Sequence, residues 1–176
     1  IKTYSVRRRD KTEKMLGKIV MYFPIFEKYL LENNMPSDIK YLSVVESALN
    51  PHATSRVGAA GLWQFMPATG KEYGLAQNSK LDERRDPHKS TKAAIKYLKR
   101  LHNKYQDWEL ALAAYNSGPG RVNRAIRRGQ SKDFWKIKKY LPKETRNRKR
   151  LYRNFGLSKK IVYALYRIVD LCRAVR

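Results

Sequence analysis

Apolar residues recur at spacings of three and four along most of this chain, the signature of helices that bury one face. In "MLGKIVMYFPIFEKYLLENN" the spacing runs from Met15 onward, and Pro24 is expected to end one helix or open the next, because proline has no N–H for the preceding turn. "MPSDIKYLSVVESAL" follows, with Ser37 as candidate N-cap and Ile39, Leu42, Val45 and Leu49 on one face. Across 51–75, Pro, Gly, Thr and Ser interrupt the pattern, which predicts a loop with one short helix beginning near Pro67. "STKAAIKYLKRLHNKY" predicts an amphipathic helix with Ala94, Tyr97, Leu98 and Leu101 inward. "DWELALAAYNSGPGR" predicts another, stopped by Gly118, Pro119 and Gly120. The helices fall over 15–50 and 90–130. No repeat of roughly 20 to 50 residues occurs, and no alternating run suggests more sheet than one short hairpin. The pattern predicts a compact, all-α chain.

Length and composition narrow the picture. With 176 residues, 42% of them apolar, the chain can bury a substantial core as one domain. Cys172 has no partner for an intrachain disulfide, and the three His lack zinc-type spacing, so neither metal nor cofactor is expected. The opening "IKTYSVRRRD" has no apolar segment behind its basic cluster, and no run reaches the roughly 18 apolar residues of a membrane span, which predicts a soluble, mature or trimmed domain. The charge is extreme: 39 Lys plus Arg against 15 Asp plus Glu, formally +24, which calls for an anionic partner. A third of that excess lies in residues 148–176, where nine basic residues face one acid. There "KKIVYALYRIVDLCRAVR" keeps helical spacing through Ile161, Ala164, Leu165, Ile168 and Leu171. It predicts a basic amphipathic helix that packs on the domain, with attachment to a membrane surface as the alternative.

Against this background one acid stands out. Glu46 lies in "VVESALNP", among Val44, Val45, Ala48 and Leu49, all of which read as buried. Apolar surroundings favour the neutral form of a carboxyl group, which suits a general acid. Glycoside cleavage usually takes a second carboxylate, and Asp82, Glu83 and Asp86 in "LDERRDP" are the candidates. Interleaved with Arg84 and Arg85, they read more readily as turn and ion-pair residues. Ser47, Ser55, Gln64, Thr69, Tyr115 and Asn116 sit in loop-like or helix-end contexts, where polar side chains orient ligands or cap helices. Trp63, Trp108 and Trp135 suit sugar stacking, although Trp108 and Trp135 lie in helical patterns that read as core.

The order "ESALNP", "SRVGAAGLWQFMPATG", "LALAAYNSGPGRV", "LPKETRN" resembles the catalytic domain of the soluble-lytic-transglycosylase family, lysozyme-like muramidases of the bacterial envelope. The Trp in "GLWQFM" is similar to the membrane-bound murein lytic transglycosylase D branch. The resemblance covers roughly residues 15 to 147. It implies a lysozyme-like helical domain with a groove, α+β at most, with the catalytic domain over 1–147 and a basic tail over 148–176.

The resemblance also implies roles. Glu46 would be the single catalytic acid, protonating the glycosidic oxygen between N-acetylmuramic acid and N-acetylglucosamine and then acting as base. Ser55, Gln64, Met66 and Thr69 match positions lining the saccharide groove, Ser47 follows the acid directly, and Tyr115 and Asn116 match a pair that positions the glutamate and the sugar. The muramic C6 hydroxyl would close on its own anomeric carbon, giving a 1,6-anhydro end without water, so a second carboxylate is unnecessary. Relatives continue after "LPKETRN" with a Tyr of the sugar groove, where this chain has Arg148; Tyr152 is a candidate replacement. The implied substrate is the peptidoglycan glycan strand, and the implied place is the periplasmic envelope, with an anionic envelope surface, outer membrane included, as a further partner. A goose-type lysozyme hydrolysing the same bond is the rival reading. A nucleic-acid-binding module would rest on charge alone, and no helix-turn-helix, zinc or RNA-recognition signature supports it. A domain of this size is expected to be a monomer.

Overall fold

A computed structural model describes residues 9–147, with side chains from Lys14 to Arg146. Among these residues it is all-helical: eight α-helices and three short 3₁₀ turns, with no sheet. They fall into two compact units, one ending at Ile95 and the other beginning at Lys96, and the division lies within a single helix. Arg148, Tyr152 and the amphipathic run of the tail lie outside the described residues.

The first unit opens with α1 (Arg9–Glu32), followed by a 3₁₀ turn (Ser37–Lys40) and α2 (Tyr41–Ser47). Along α1, Leu16, Ile19, Phe23, Phe26 and Leu30 form the buried stripe that the spacing predicted. Pro24 neither ends nor opens a helix; α1 runs through it. The proline and Val20, whose carbonyl loses its helical N–H partner there, both lie on the exposed face of α1. Ser37 is also not a cap: Pro36 occupies that position, and Ser37 opens the 3₁₀ turn.

The chain then crosses a long loop to α3 (Pro67–Glu72), a second 3₁₀ turn (Glu83–Arg85) and α4 (Pro87–Tyr105). α3 starts at the predicted Pro67. The hairpin expectation reduces to isolated bridges, Thr54 with Ala60 and Ala60 with Phe65. Trp63 anchors the loop. It is fully buried, its ring lies 5.0 Å from that of Phe26, and its indole N–H donates to Thr91 Oγ1 at 2.9 Å. A buried indole nitrogen needs such an acceptor, and Thr91 on α4 supplies it.

The second unit holds the end of α4, then α5 (Trp108–Ser117), α6 (Pro119–Gly129), α7 (Phe134–Ile137), a 3₁₀ turn (Lys138–Tyr140) and α8 (Lys143–Asn147). Asp107 caps α5 by accepting from the Leu110 N–H at 2.7 Å. Leu110 through Ala114 are all buried, so α5 has no solvent stripe there, the mark of a core helix. The expected three-residue stop is a one-residue break. Gly118, at φ 85°, ends α5, while Pro119 is already the first residue of α6 and Gly120 lies inside it. Val122 and Ala125 of α6 and Phe134 and Ile137 of α7 complete the apolar packing.

Candidate active site

Glu46 is the penultimate residue of α2 and is half-buried. The apolar enclosure expected around it is only partial: Leu49 is fully buried and Val44 half-buried, but Val45 and Ala48 are exposed. Val45 lies within α2, but the face that put it inward runs through Ile39 in the 3₁₀ turn and Leu49 beyond Ser47, so no single helical period joins these positions. Ala48 and Leu49 then take left-handed backbone angles, φ 50° and 56°, which turn the chain out of its helical register. Neither is glycine, and such a conformation costs about 1–2 kcal/mol per residue. Burial of the Leu49 side chain offsets part of that cost.

Ser47 ties the end of α2 to the loop. Its hydroxyl lies 2.9 Å from the Leu62 carbonyl and 3.1 Å from that of Ser43, either of which can accept its one proton. Ser55 works within the loop, its Oγ accepting from the Ala59 N–H at 3.0 Å. Gln64 sits at φ 50° and donates through its amide nitrogen to the carbonyls of Gly61 (2.9 Å) and Ala53 (3.3 Å). Met66, 42% exposed, precedes α3 as its N-cap residue, and Thr69 is half-buried within α3. The structure therefore connects Ser47, the residue after Glu46, to the loop that holds Ser55 and Gln64.

The same loop is pinned by a residue that sequence reasoning treated only as a partner for acids. Arg84 donates Nε and Nη2 to the two carboxylate oxygens of Asp82, each at 2.8 Å, and Nη1 to the carbonyls of Gly58 (2.8 Å) and Phe65 (3.1 Å). Next to it, Arg85 donates to Thr54 Oγ1 at 2.9 Å. Gly61 shows how close the fit is: a Cβ there would lie 1.8 Å from the Arg84 carbonyl oxygen.

The three candidate second carboxylates are all engaged. The Arg84 side chain holds the Asp82 carboxyl below its ordinary value. Glu83 is lowered by Lys89, which pairs with it, and by the Ala76 N–H, and the Lys89 ammonium is raised in turn. Asp86 accepts from the Lys89 N–H at the start of α4.

In the second unit, Tyr115 and Asn116 occupy successive positions near the end of α5. The Tyr115 ring lies 5.2 Å from that of Tyr97. Asn116 accepts at its amide oxygen from the hydroxyl of Thr145, at 2.9 Å. Thr145, 1% exposed, lies in "LPKETRN" and escaped the sequence reading; the signal was a small hydroxyl residue inside a recognised motif. The tryptophans reverse the expectation. Trp63 is the core residue, whereas Trp108, stacked on His102 at 4.1 Å, and Trp135, whose indole N–H donates to Glu109 at 3.2 Å, are half-buried. Burial, with Asp107 and Asp133 nearby, pushes the Glu109 carboxyl up.

These features define an all-helical architecture in which the serine after a helix-end glutamate ties that helix end to a loop pinned by polar contacts. The chain belongs to the Transglycosylase SLT domain family, whose model matches residues 23–138. It is 49% identical over 120 residues to membrane-bound lytic murein transglycosylase D of Escherichia coli K12, a match covering 65% of this chain and 26% of that protein. Soluble lytic murein transglycosylase of the same strain is 32% identical over 107 residues, covering 57% of this chain and 17% of that one. The chain thus spans about a quarter or less of these relatives. Among solved structures, the 70 kDa soluble lytic transglycosylase of Escherichia coli matches with TM-score 0.60 at 29% identity, over 72% of this chain and 22% of that one. An inactive mutant of lytic transglycosylase Slt from Pseudomonas aeruginosa, with one glutamate replaced by glutamine, matches with TM-score 0.59 at 26% identity, over 70% of this chain and 21% of that one.

Proposed function

We propose that this chain is a peptidoglycan lytic transglycosylase of the bacterial envelope, cleaving the β-1,4 bond between N-acetylmuramic acid and N-acetylglucosamine with Glu46 as its single general acid and base. Glu46 gives its proton to the glycosidic oxygen as the bond to the muramic anomeric carbon breaks. The muramic C6 hydroxyl then bonds to that carbon, and its proton passes to the Glu46 carboxylate, leaving a 1,6-anhydro end and a regenerated acid. Ser47 sets the helix end that carries Glu46. Ser55, Gln64, Met66 and Thr69 supply the wall of the saccharide site, and Tyr115 and Asn116 orient the sugar. Residues 1–147 form the catalytic domain, and 148–176 form a basic tail suited to anionic envelope polymers.

One observation carries the water-free reading. Asp82, Glu83 and Asp86, the carboxylates best placed by sequence to activate water, are committed to Arg84, Lys89 and the start of α4. Family membership and the names of the relatives support the reaction class, and the inactive glutamate-to-glutamine mutant of the Pseudomonas protein supports an essential glutamate. No activated water is needed for an intramolecular closure, where good orientation can supply about 7–11 kcal/mol of the barrier.

The test is mass spectrometry of products released from purified peptidoglycan, with Glu46→Gln alongside. Anhydromuramyl ends that disappear in the variant are the expected result. Reducing ends heavier by one water would move the protein to goose-type hydrolysis, and full activity in Glu46→Gln would remove Glu46 from the mechanism.

A further inference from the structure

Arg84 is 9% exposed, and a guanidinium so placed must use its donors. A simple ion pair would end at Asp82. Here the Nη1 group turns away from the carboxylate and binds two main-chain carbonyls, Gly58 and Phe65, at the two ends of one loop segment. Within that segment lies Leu62, whose carbonyl accepts from Ser47, the residue after Glu46. The backbone of the loop also presses on the Arg84 backbone at Gly61, where even a methyl group has no room.

The helix end at Glu46 needs such support. Two successive non-glycine residues, Ala48 and Leu49, hold left-handed angles directly behind it, a conformation that their own side chains disfavour. We propose that Arg84, oriented by Asp82, is a positioning residue for Glu46: it fixes the Gly58–Phe65 segment, whose Leu62 carbonyl fixes Ser47 and with it the glutamate. The inference rests on the reading of Glu46 as general acid and base.

Lysine can keep the charge but cannot make the carboxylate fork and reach two carbonyls at once. Arg84→Lys, Ser47→Ala and the double variant are therefore compared by kcat and KM on soluble glycan fragments of peptidoglycan, with thermal melting of each and Glu46→Gln as control. Each single change should lower kcat on the order of tenfold with KM within about twofold, as a small misplacement of a reacting group does. The double variant should lose little more than the worse single, because both changes cut one chain of contacts. Unchanged kcat in Arg84→Lys, or losses that multiply in the double variant, would overturn the inference. Activity retained in Glu46→Gln would instead overturn the reading of Glu46. If Arg84→Lys does not fold, Asp82→Asn keeps the arginine and loosens its orientation. A kcat loss of about threefold that is absorbed in the Ser47→Ala background supports the relay, and wild-type kcat overturns it.

Discussion

The loop over 51–66 and helix α5 hold their functional candidates in different ways. The loop has no strand and no helix of its own; donors aimed at its carbonyls, from the buried Arg84 and the half-buried Gln64, fix its course. α5 is a regular helix with Leu110 through Ala114 buried, and Tyr115 and Asn116 follow directly in its register. One region is positioned by direction, through hydrogen bonds that fail when a donor is lost or moved. The other is positioned by volume, and loses stability in proportion to the contacts removed.

The contrast is broken most forcefully from the helix side. Leu112→Ala should cost about 2–5 kcal/mol in denaturant unfolding, the usual range for a cavity in a filled core. A loss under ~1 kcal/mol would mean that volume does not hold α5. Gly61→Ala tests the loop. A Cβ there meets the Arg84 backbone in a left-handed position, so about 2–4 kcal/mol should be lost, with the loop's amides showing the largest gain in hydrogen exchange. A smaller probe joins the two modes. Thr145→Val keeps the volume and removes the donor to Asn116, for an expected cost of about 1–2 kcal/mol and a fall in kcat; a stable variant with normal turnover would make that contact incidental.

Acid should act in opposite senses on the two regions. The Asp82 pKa is lowered in the folded chain, so its contribution is complete above the unfolded carboxylate range and is lost as pH falls through the folded value. That of Glu109 is raised, so its contribution is present below the unfolded value and is lost as pH rises through the folded one. Melting curves should therefore show Glu109→Gln as more stable than the parent at neutral pH, with the gain shrinking on acidification, and Asp82→Asn as less stable at neutral pH, with the deficit shrinking. Parallel pH trends in the two variants would contradict these assignments.

The helices were legible because their period is: Leu16 to Leu30, Ala94, Leu98, Leu101 and the run in α5 lie where spacing put them, while Tyr97, also expected inward, is half-buried. The misses share a cause. Pro24 and the Gly118–Gly120 stretch were read by residue type, yet exposure decided the first and a single backbone turn the second. Of the four residues placed on one face, only Leu42 and Val45 lie in α2; Ile39 belongs to the 3₁₀ turn before it and Leu49 follows its end, so no single helical period joins them and Val45 faces outward. At the site, motif order marked Glu46, Tyr115 and Asn116. Arg84 and Thr145 act through partners 19 to 29 residues away, and no local pattern encodes such pairings.

Trp63 gives the first unit an optical reporter of its own state. Its indole is sealed and hydrogen-bonded to Thr91, while Trp108 and Trp135 are half open to solvent. Under excitation of all three, iodide should silence the outer two first and leave a blue-shifted emission from Trp63. The survival of that emission would report, without any label, whether the loop beside Glu46 is still seated.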